Sequence, residues 1–236
     1  MLKETCSICG DQLEETENFH TATCYYCKTE NQVNKTCIHG HYICPNCANK
    51  PVNEKIFAFC LETSLSDPNE IVMQAFDQLG VPIHGPEHHF LIPAALTTAY
   101  LNFTHQDDKK EEFLTEIKRR SEMILGGFCW THGTCGAAIA VGTFISIITQ
   151  THWLSEKEWQ LSNLATARTL EAIAKAGGPR CCKRDTFIAL RIARDFLEEL
   201  FQIKLPLNTN IVCHFHDLNK ECTQNRCMFH FSNYEK

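Results

Sequence analysis

Three observations predict a mainly helical chain that carries a metal-organised module at its N-terminus. Cysteine is concentrated: of fifteen in 236 residues, seven fall within the first 47. That N-terminal stretch has little apolar periodicity, so bound metal must supply the order that a hydrophobic core otherwise would. From Glu54 onward apolar residues recur at helical spacing almost throughout. Lys50-Pro51-Val52-Asn53 makes a natural boundary, which divides the chain into a metal module over 1–50 and a helical, cysteine-rich domain over 51–236.

Composition narrows the function. Hydrophobic residues at 44% and charged residues at 21% describe a globular protein. A formal charge of −6 argues against a protein that coats nucleic acid, because phosphate binding needs a basic surface. Met1 to Thr5 is polar and runs straight into Cys6, unlike an export signal. The longest apolar stretch, Cys135 to Ile148, is too short and too interrupted to span a bilayer. The expected location is the cytosol, in an anaerobe. Thiols stay reduced there, so metal binding outranks disulfides, and the odd cysteine count agrees.

The N-terminal motifs are Cys6-x-x-Cys9, Cys24-x-x-Cys27 and Cys44-x-x-Cys47, with Cys37 and His41 as a further pair. Two intervening residues let one tight turn supply two ligands to a tetrahedral zinc. Eight ligands suffice for two closed sites, and closed sites are structural. Sequential pairing would join Cys6, Cys9, Cys24 and Cys27, leaving Cys37, His41, Cys44 and Cys47 for the second ion. Interleaved pairing would join, counted in chain order, the first pair to the third and the second to the fourth. His39 is the alternative ligand to His41, and His20 is not expected to bind. The run from Cys37 to Cys47 resembles the middle of cross-brace RING or FYVE-type fingers. That resemblance implies a treble-clef or cross-brace-like zinc module and favours the interleaved pairing. It covers under 50 residues and leaves the larger domain without a role, so ubiquitin-ligase function is not expected.

The helical domain opens with a short helix marked by Ile56, Phe57, Phe59 and Cys60, where Cys60 reads as a small core residue. Ser66-Asp67-Pro68-Asn69-Glu70 starts a second helix that stops at Gly80. A third runs from Pro86 to about Phe103, kinked or restarted at Pro93. The charged run Asp107 to Arg120 is a solvated helix face with Phe113, Ile117 and Ile124 turned inward. The segment Gly133 to Gln150 is apolar nearly all round, with Ala138, Gly142 and Ser146 one turn apart, a stripe most simply explained by close helix packing. Ser155 to Glu158 reads as a capping box for a helix ending at Gly177-Gly178. Cys181-Cys182 open a long amphipathic helix through Phe201. Residues from Leu205 onward form an irregular tail with three cysteines.

Two Gly-Gly turns deliver cysteines to helix starts. Gly126-Gly127-Phe128-Cys129 leads to His132 and Cys135, and Gly177-Gly178-Pro179-Arg180 leads to Cys181-Cys182-Lys183-Arg184. Helix N-termini and nearby cations (Arg180, Lys183, His132) favour thiolates. Cys181 or Cys182 together with Cys213, Cys222 and Cys227 would supply four thiolates for an iron–sulfur cluster. A third zinc using His214, His216 or His230 is the competing possibility. In His84-Gly85-Pro86-Glu87-His88-His89, adjacent histidines point to different sides of a helix, so one at most faces a site.

These HGPEHH-, GGFCxxxGxCGAA- and GGPRCCKR-like segments, with the cysteine-rich tail, resemble an uncharacterised domain-of-unknown-function family of anaerobic bacteria and archaea. The likeness runs from Cys6 to Cys227 and implies, for some members, a link to SAM-dependent methyltransferases. A looser likeness is to putative redox proteins named for a C-GCAxxG-C-C pattern, from which this chain departs in the core motif. The expected function is a zinc- and iron–sulfur-binding protein with a redox or sulfur-handling role, meeting a redox partner or a methyltransferase-type enzyme. Cys129 and Cys135 would then be further cluster ligands or a redox-active pair. One rival is a sulfur- or methyl-transfer enzyme with Cys129 or Cys135 as nucleophile and His88 or His132 as base. The other is an accessory subunit whose metals are all structural zinc.

Overall fold

The computed structural model describes residues 6, 8–9, 11–25, 27–44 and 52–234. Cys47, expected as a zinc ligand, and the boundary at Lys50-Pro51 lie outside them.

The N-terminal module is built on an antiparallel hairpin of β1 (Leu13–Thr23) and β2 (Glu30–Cys37). The ladder sets Leu13 opposite Cys37 and Thr23 opposite Glu30, with a bulge in β1 between Glu15 and His20. Strand residues here are mostly polar, with β1 largely exposed and β2 half-buried, which is why apolar alternation gave no sign of the hairpin. After β2 the chain reverses through Gly40, whose N–H donates to the Cys37 carbonyl at 2.7 Å. Tyr42 then pairs with Cys24, bringing Cys44 beside it.

Eight α-helices follow among the described residues: α1 (Val52–Glu62), α2 (Pro68–Gln78), α3 (Glu87–Phe103), α4 (Lys110–Ser121), the one-turn α5 (Phe128–Thr131), α6 (Gly136–Ile148), α7 (Lys157–Ala176) and α8 (Cys182–Phe201). The helical assignments of the sequence are present, with local corrections. The apolar helix expected from Gly133 begins only at Gly136, after the separate one-turn α5, so Cys135 caps α6 rather than lying inside it. The capping box at Ser155 does not form; the Ser155 hydroxyl accepts from the His152 N–H instead. Among the described residues no helix is long and apolar enough to cross a membrane.

Helix α3 is the hub, buried over most of its length and packed against α1, α2, α4, α6 and α8. It runs unbroken through Pro93. Proline lacks the N–H that would bond the carbonyl four residues back. That carbonyl, of His89, is satisfied by the Ser121 hydroxyl at 3.1 Å. The small-residue stripe of α6 serves packing: a Cβ on Gly142 would stand 2.0 Å from Thr166 Oγ1 and 2.9 Å from the Ser162 carbonyl of α7.

The tail is irregular but anchored. Leu205, Ile211, Phe215 and Phe229 are buried in the core. Cys213 donates its N–H to the Phe229 carbonyl at 2.7 Å. One carboxylate oxygen of Asp67 caps α2 through Asn69 N–H (2.8 Å) and Glu70 N–H (3.3 Å), and the other accepts from the Asn208 N–H of the tail. Between module and domain, Ile8 and Tyr25 border a crevice shared with Pro82, Ile83 and Leu218.

Candidate metal centres and the cysteine-lined cleft

Two ligand clusters form on the hairpin. Cys6, Cys9, Cys37 and His41 bring their ligand atoms within 4.8 Å of one another, and so do Cys24, Cys27 and Cys44. Cys9 and Cys37 sulfurs are 3.5 Å apart, Cys27 and Cys44 sulfurs 3.6 Å, and Cys6 Sγ lies 3.8 Å from His41 Nδ1. Zinc–sulfur bonds of about 2.3 Å in a tetrahedron set sulfurs about 3.8 Å apart, so the donors fit one ion each. The grouping is the interleaved one. Ile8 and His39 N–H groups point at Cys6 and Cys37 sulfurs (3.4 and 3.5 Å), as ligand turns do. His39 itself pairs with Asp11 at 3.2 Å outside the first cluster, and His20 sits on β1 near Thr16.

Burial pushes the Cys9 thiol up to about 12, a shift that a bound cation would oppose. Cys27, exposed, is drawn down to about 6 by the Thr29 hydroxyl and N–H. The arrangement offers donor sets for two metal ions and is consistent with zinc.

In the helical domain the adjacent cysteines at the start of α8 part company. Cys181 faces a small cavity of about 20 Å³ that is also lined by Cys213, Cys222 and Cys227. Cys182 faces a cleft of about 290 Å³ lined by Cys129 and Cys135. Among the described residues no three ligand atoms of either set fall within 4.8 Å of one another, unlike those of the hairpin.

Phe187, Phe215 and Phe229 wall the smaller cavity. Backbone N–H groups reach its sulfurs: Arg184 to Cys181, Phe215 to Cys213, and Gln224 to Cys222 at 3.4 Å. The Asn219 amide adds a contact to Cys181 Sγ at 3.5 Å. Burial pushes Cys181 up to about 12 and raises Cys213 as well. Lys183 is fully buried beside them, its ammonium 3.5 Å from the Phe76 ring centroid and 4.5 Å from that of Phe215, donating to the Val81 carbonyl at 3.1 Å. Burial pulls this lysine down to about 7, against the opposing pull of nearby thiolates. Arg184 is spent on Asp185, 2.9 Å away, in a buried pair. His216 and His230 line the same cavity, whereas His214 is exposed and paired with Asp77 at 2.8 Å.

The cleft gathers the three glycine-containing motifs: His84 to His89, Gly126 to Cys129 with Cys135 to Ala137, and Arg180 with Cys182. Burial pushes Cys135 up to about 12 and raises Cys182; the Ala137 and Gly85 N–H groups bond their sulfurs. Neither histidine expected to serve as a base offers an unengaged ring nitrogen to the cleft. His88 borders the cleft but is buried with both ring nitrogens engaged, by the Pro82 carbonyl (3.0 Å) and the Thr186 hydroxyl (2.9 Å), and burial holds its pKa well below the usual histidine range. His132 is exposed, bonded to Thr131 and tilted against the Phe128 ring, and does not line the cleft. The histidine that presents a nitrogen there is His89, which the sequence reading passed over. Its signal was Pro93, four residues on, which frees the His89 carbonyl to fix the residue from outside the helix. His84 links the cavities: its Nε2 lies 3.1 Å from Asn219 Oδ1, and Asn219 reaches Cys181.

Neither a curated protein nor a solved structure matches the chain. Residues 56–230, which span the helical domain and the cysteine-rich tail but not the hairpin, match a family described as "Family of unknown function (DUF5714)", and the protein belongs to that family.

Proposed function

We propose that the protein binds zinc in its N-terminal module and an iron–sulfur cluster at Cys181, Cys213, Cys222 and Cys227, and that it has a redox or sulfur-handling role. One observation carries the cluster: thiols from two distant stretches of chain face one small cavity, and among the described residues no three of them fall within 4.8 Å of one another, as the donors of a single tetrahedral ion would. A cluster anchors each thiolate on its own iron and therefore needs a wider cage than zinc. Backbone N–H groups on three of the four sulfurs support the same reading, since such bonds stabilise ligated thiolates and tune cluster potential. When bound, the cluster supplies one-electron chemistry. The chain's own contribution is to exclude water with the three phenylalanines and to place the Lys183 charge beside an anionic site. A redox partner or a methyltransferase-type enzyme would be the other half of the reaction.

The test is anaerobic purification of wild type and Cys222→Ala with iron and acid-labile sulfide measured. Loss of both from the variant, with zinc unchanged, is the expected result. Zinc bound at the tail of wild type in place of iron would refute the cluster.

The volume of the cleft favours a second reading, a sulfur- or methyl-transfer enzyme with Cys129 or Cys135 as nucleophile. In that reading His89 replaces His88 and His132 as the base. Rapid alkylation of Cys129 with metal content unchanged would put it ahead.

A further inference from the structure

We propose that the cleft is itself a second metal centre: an iron–sulfur cluster held by Cys129, Cys135 and Cys182, with His89 Nε2 as the fourth donor and room beside it for a small substrate. The proposal extends the iron–sulfur reading of the tail cavity to a new site and rests on it for its chemistry.

The histidine supplies the decisive geometry. His89 Nδ1 lies 3.0 Å from the Ile124 carbonyl oxygen. A carbonyl only accepts, so the proton sits on Nδ1 and Nε2 keeps its lone pair. Metal-bound histidines are oriented in this way, with the other ring nitrogen donating to a carbonyl or carboxylate. The backbone of the same residue is fixed as well, because the carbonyl freed by Pro93 accepts from Ser121. Both restraints come from the end of α4 and the turn after it. They hold Nε2 against Gly136, at the threshold of α6, where any Cβ would come within 2.2 Å of it. Glycine at that position is what lets the imidazole approach next to Cys135.

The three thiols come from separate places: the one-turn α5, the cap of α6 and the first residue of α8. Two of them already receive backbone N–H groups, as the sulfurs of the tail cavity do. A simple dithiol pair of Cys129 and Cys135 would give no role to Cys182 or to the fixed imidazole. A single zinc would want the donors gathered as they are on the hairpin, which they are not. The cleft is also far larger than the tail cavity, about 290 Å³ against about 20 Å³, so it can admit a molecule that the tail site cannot. One peptide bond, between Cys181 and Cys182, joins the two centres.

The full chain and two variants, Cys129→Ser/Cys135→Ser and Cys222→Ser, are to be reconstituted anaerobically with ferrous iron and sulfide, and iron counted per chain. Wild type is expected to hold twice the iron of either variant, with the helical circular-dichroism signal retained in all three. Unchanged iron in the cleft variant overturns the proposal while leaving the tail cluster standing. Loss of iron from the cleft variant but not from Cys222→Ser supports the cleft centre and removes the tail one. No iron in wild type overturns both. His89→Cys tests the fourth donor: it should keep the iron but abolish nitrogen hyperfine coupling in the pulsed paramagnetic-resonance spectrum of the reduced protein. Coupling that persists in His89→Cys would remove His89 from the ligand set.

Discussion

On the hairpin, Cys9 and Cys37 sulfurs stand 3.5 Å apart and all four donors of their cluster fit within 4.8 Å; among the described residues of the helical domain no three donors do. Among the described residues the hairpin adds none to the apolar core, and its strands are mostly polar, while its cysteines are gathered into two donor clusters. The helical domain already has a core around α3, and its cysteines stand at the rims of two cavities cut into that frame. Cysteine is therefore a folding element in one region and a lining in the other. Metal removal should have opposite structural consequences in the two.

The largest expected effect tests this directly. Cys37→Ser, or chelation of the wild type, should unfold the hairpin, since structural zinc contributes on the order of 10 kcal/mol or more to a module of this kind. Limited proteolysis should open sites within 13–37 while the helical signal survives; loss of the helices along with the hairpin would break the contrast. Asp67→Ala probes the opposite claim, that the tail is anchored without metal. It removes a helix cap and a bond to Asn208 at once and should cost about 2–3 kcal/mol, read as a fall in denaturant midpoint. An unchanged midpoint would mean that the tail depends on its cysteines after all.

Gly142→Ala forces a methyl against Thr166 and the Ser162 backbone and should cost about 1–3 kcal/mol without changing metal content. A change in bound metal would show that the α6 stripe does more than pack. His88 gives a pH-dependent version of the same distinction. Its pKa is held well below 6.5 in the folded protein, so below that pH the unfolded chain binds a proton that the folded one refuses. Stability is full above pH 6.5 and falls as pH drops toward the folded value, by up to about 1.4 kcal/mol per unit from this group. His88→Gln should flatten that slope; an unaltered slope would mean that the buried imidazole is not its source. Smallest of all, Arg168→Ala breaks an exposed pair with Glu199 and should cost no more than about 1 kcal/mol.

Much of this was legible in the sequence. The Asp67-Pro68 start declared α2 because cap, proline and first-turn acid are local requirements of a helix end. The C-x-x-C spacing declared the hairpin's ligands for an equally local reason, the turn that presents two thiolates. The hairpin itself was not legible, because its ladder is bulged and its strands carry no apolar alternation. The division of Cys181 from Cys182 was also hidden: adjacent residues at a helix threshold diverge, and what each meets depends on chain more than 30 residues away. The choice between His88 and His89 turned on tertiary partners as well. His88 is saturated by Pro82 and Thr186, while His89 is pinned by Ile124 and Ser121 with Nε2 at Gly136.

The central claim is that two kinds of metal site coexist, zinc gathered on the hairpin and iron–sulfur at the cysteine-lined cavities. The most direct measurement is zinc, iron and acid-labile sulfide on the same anaerobically purified full-length chain. The account predicts zinc together with iron and sulfide in a coloured protein, with Cys37→Ser losing zinc but keeping iron. A colourless protein holding zinc alone would contradict it.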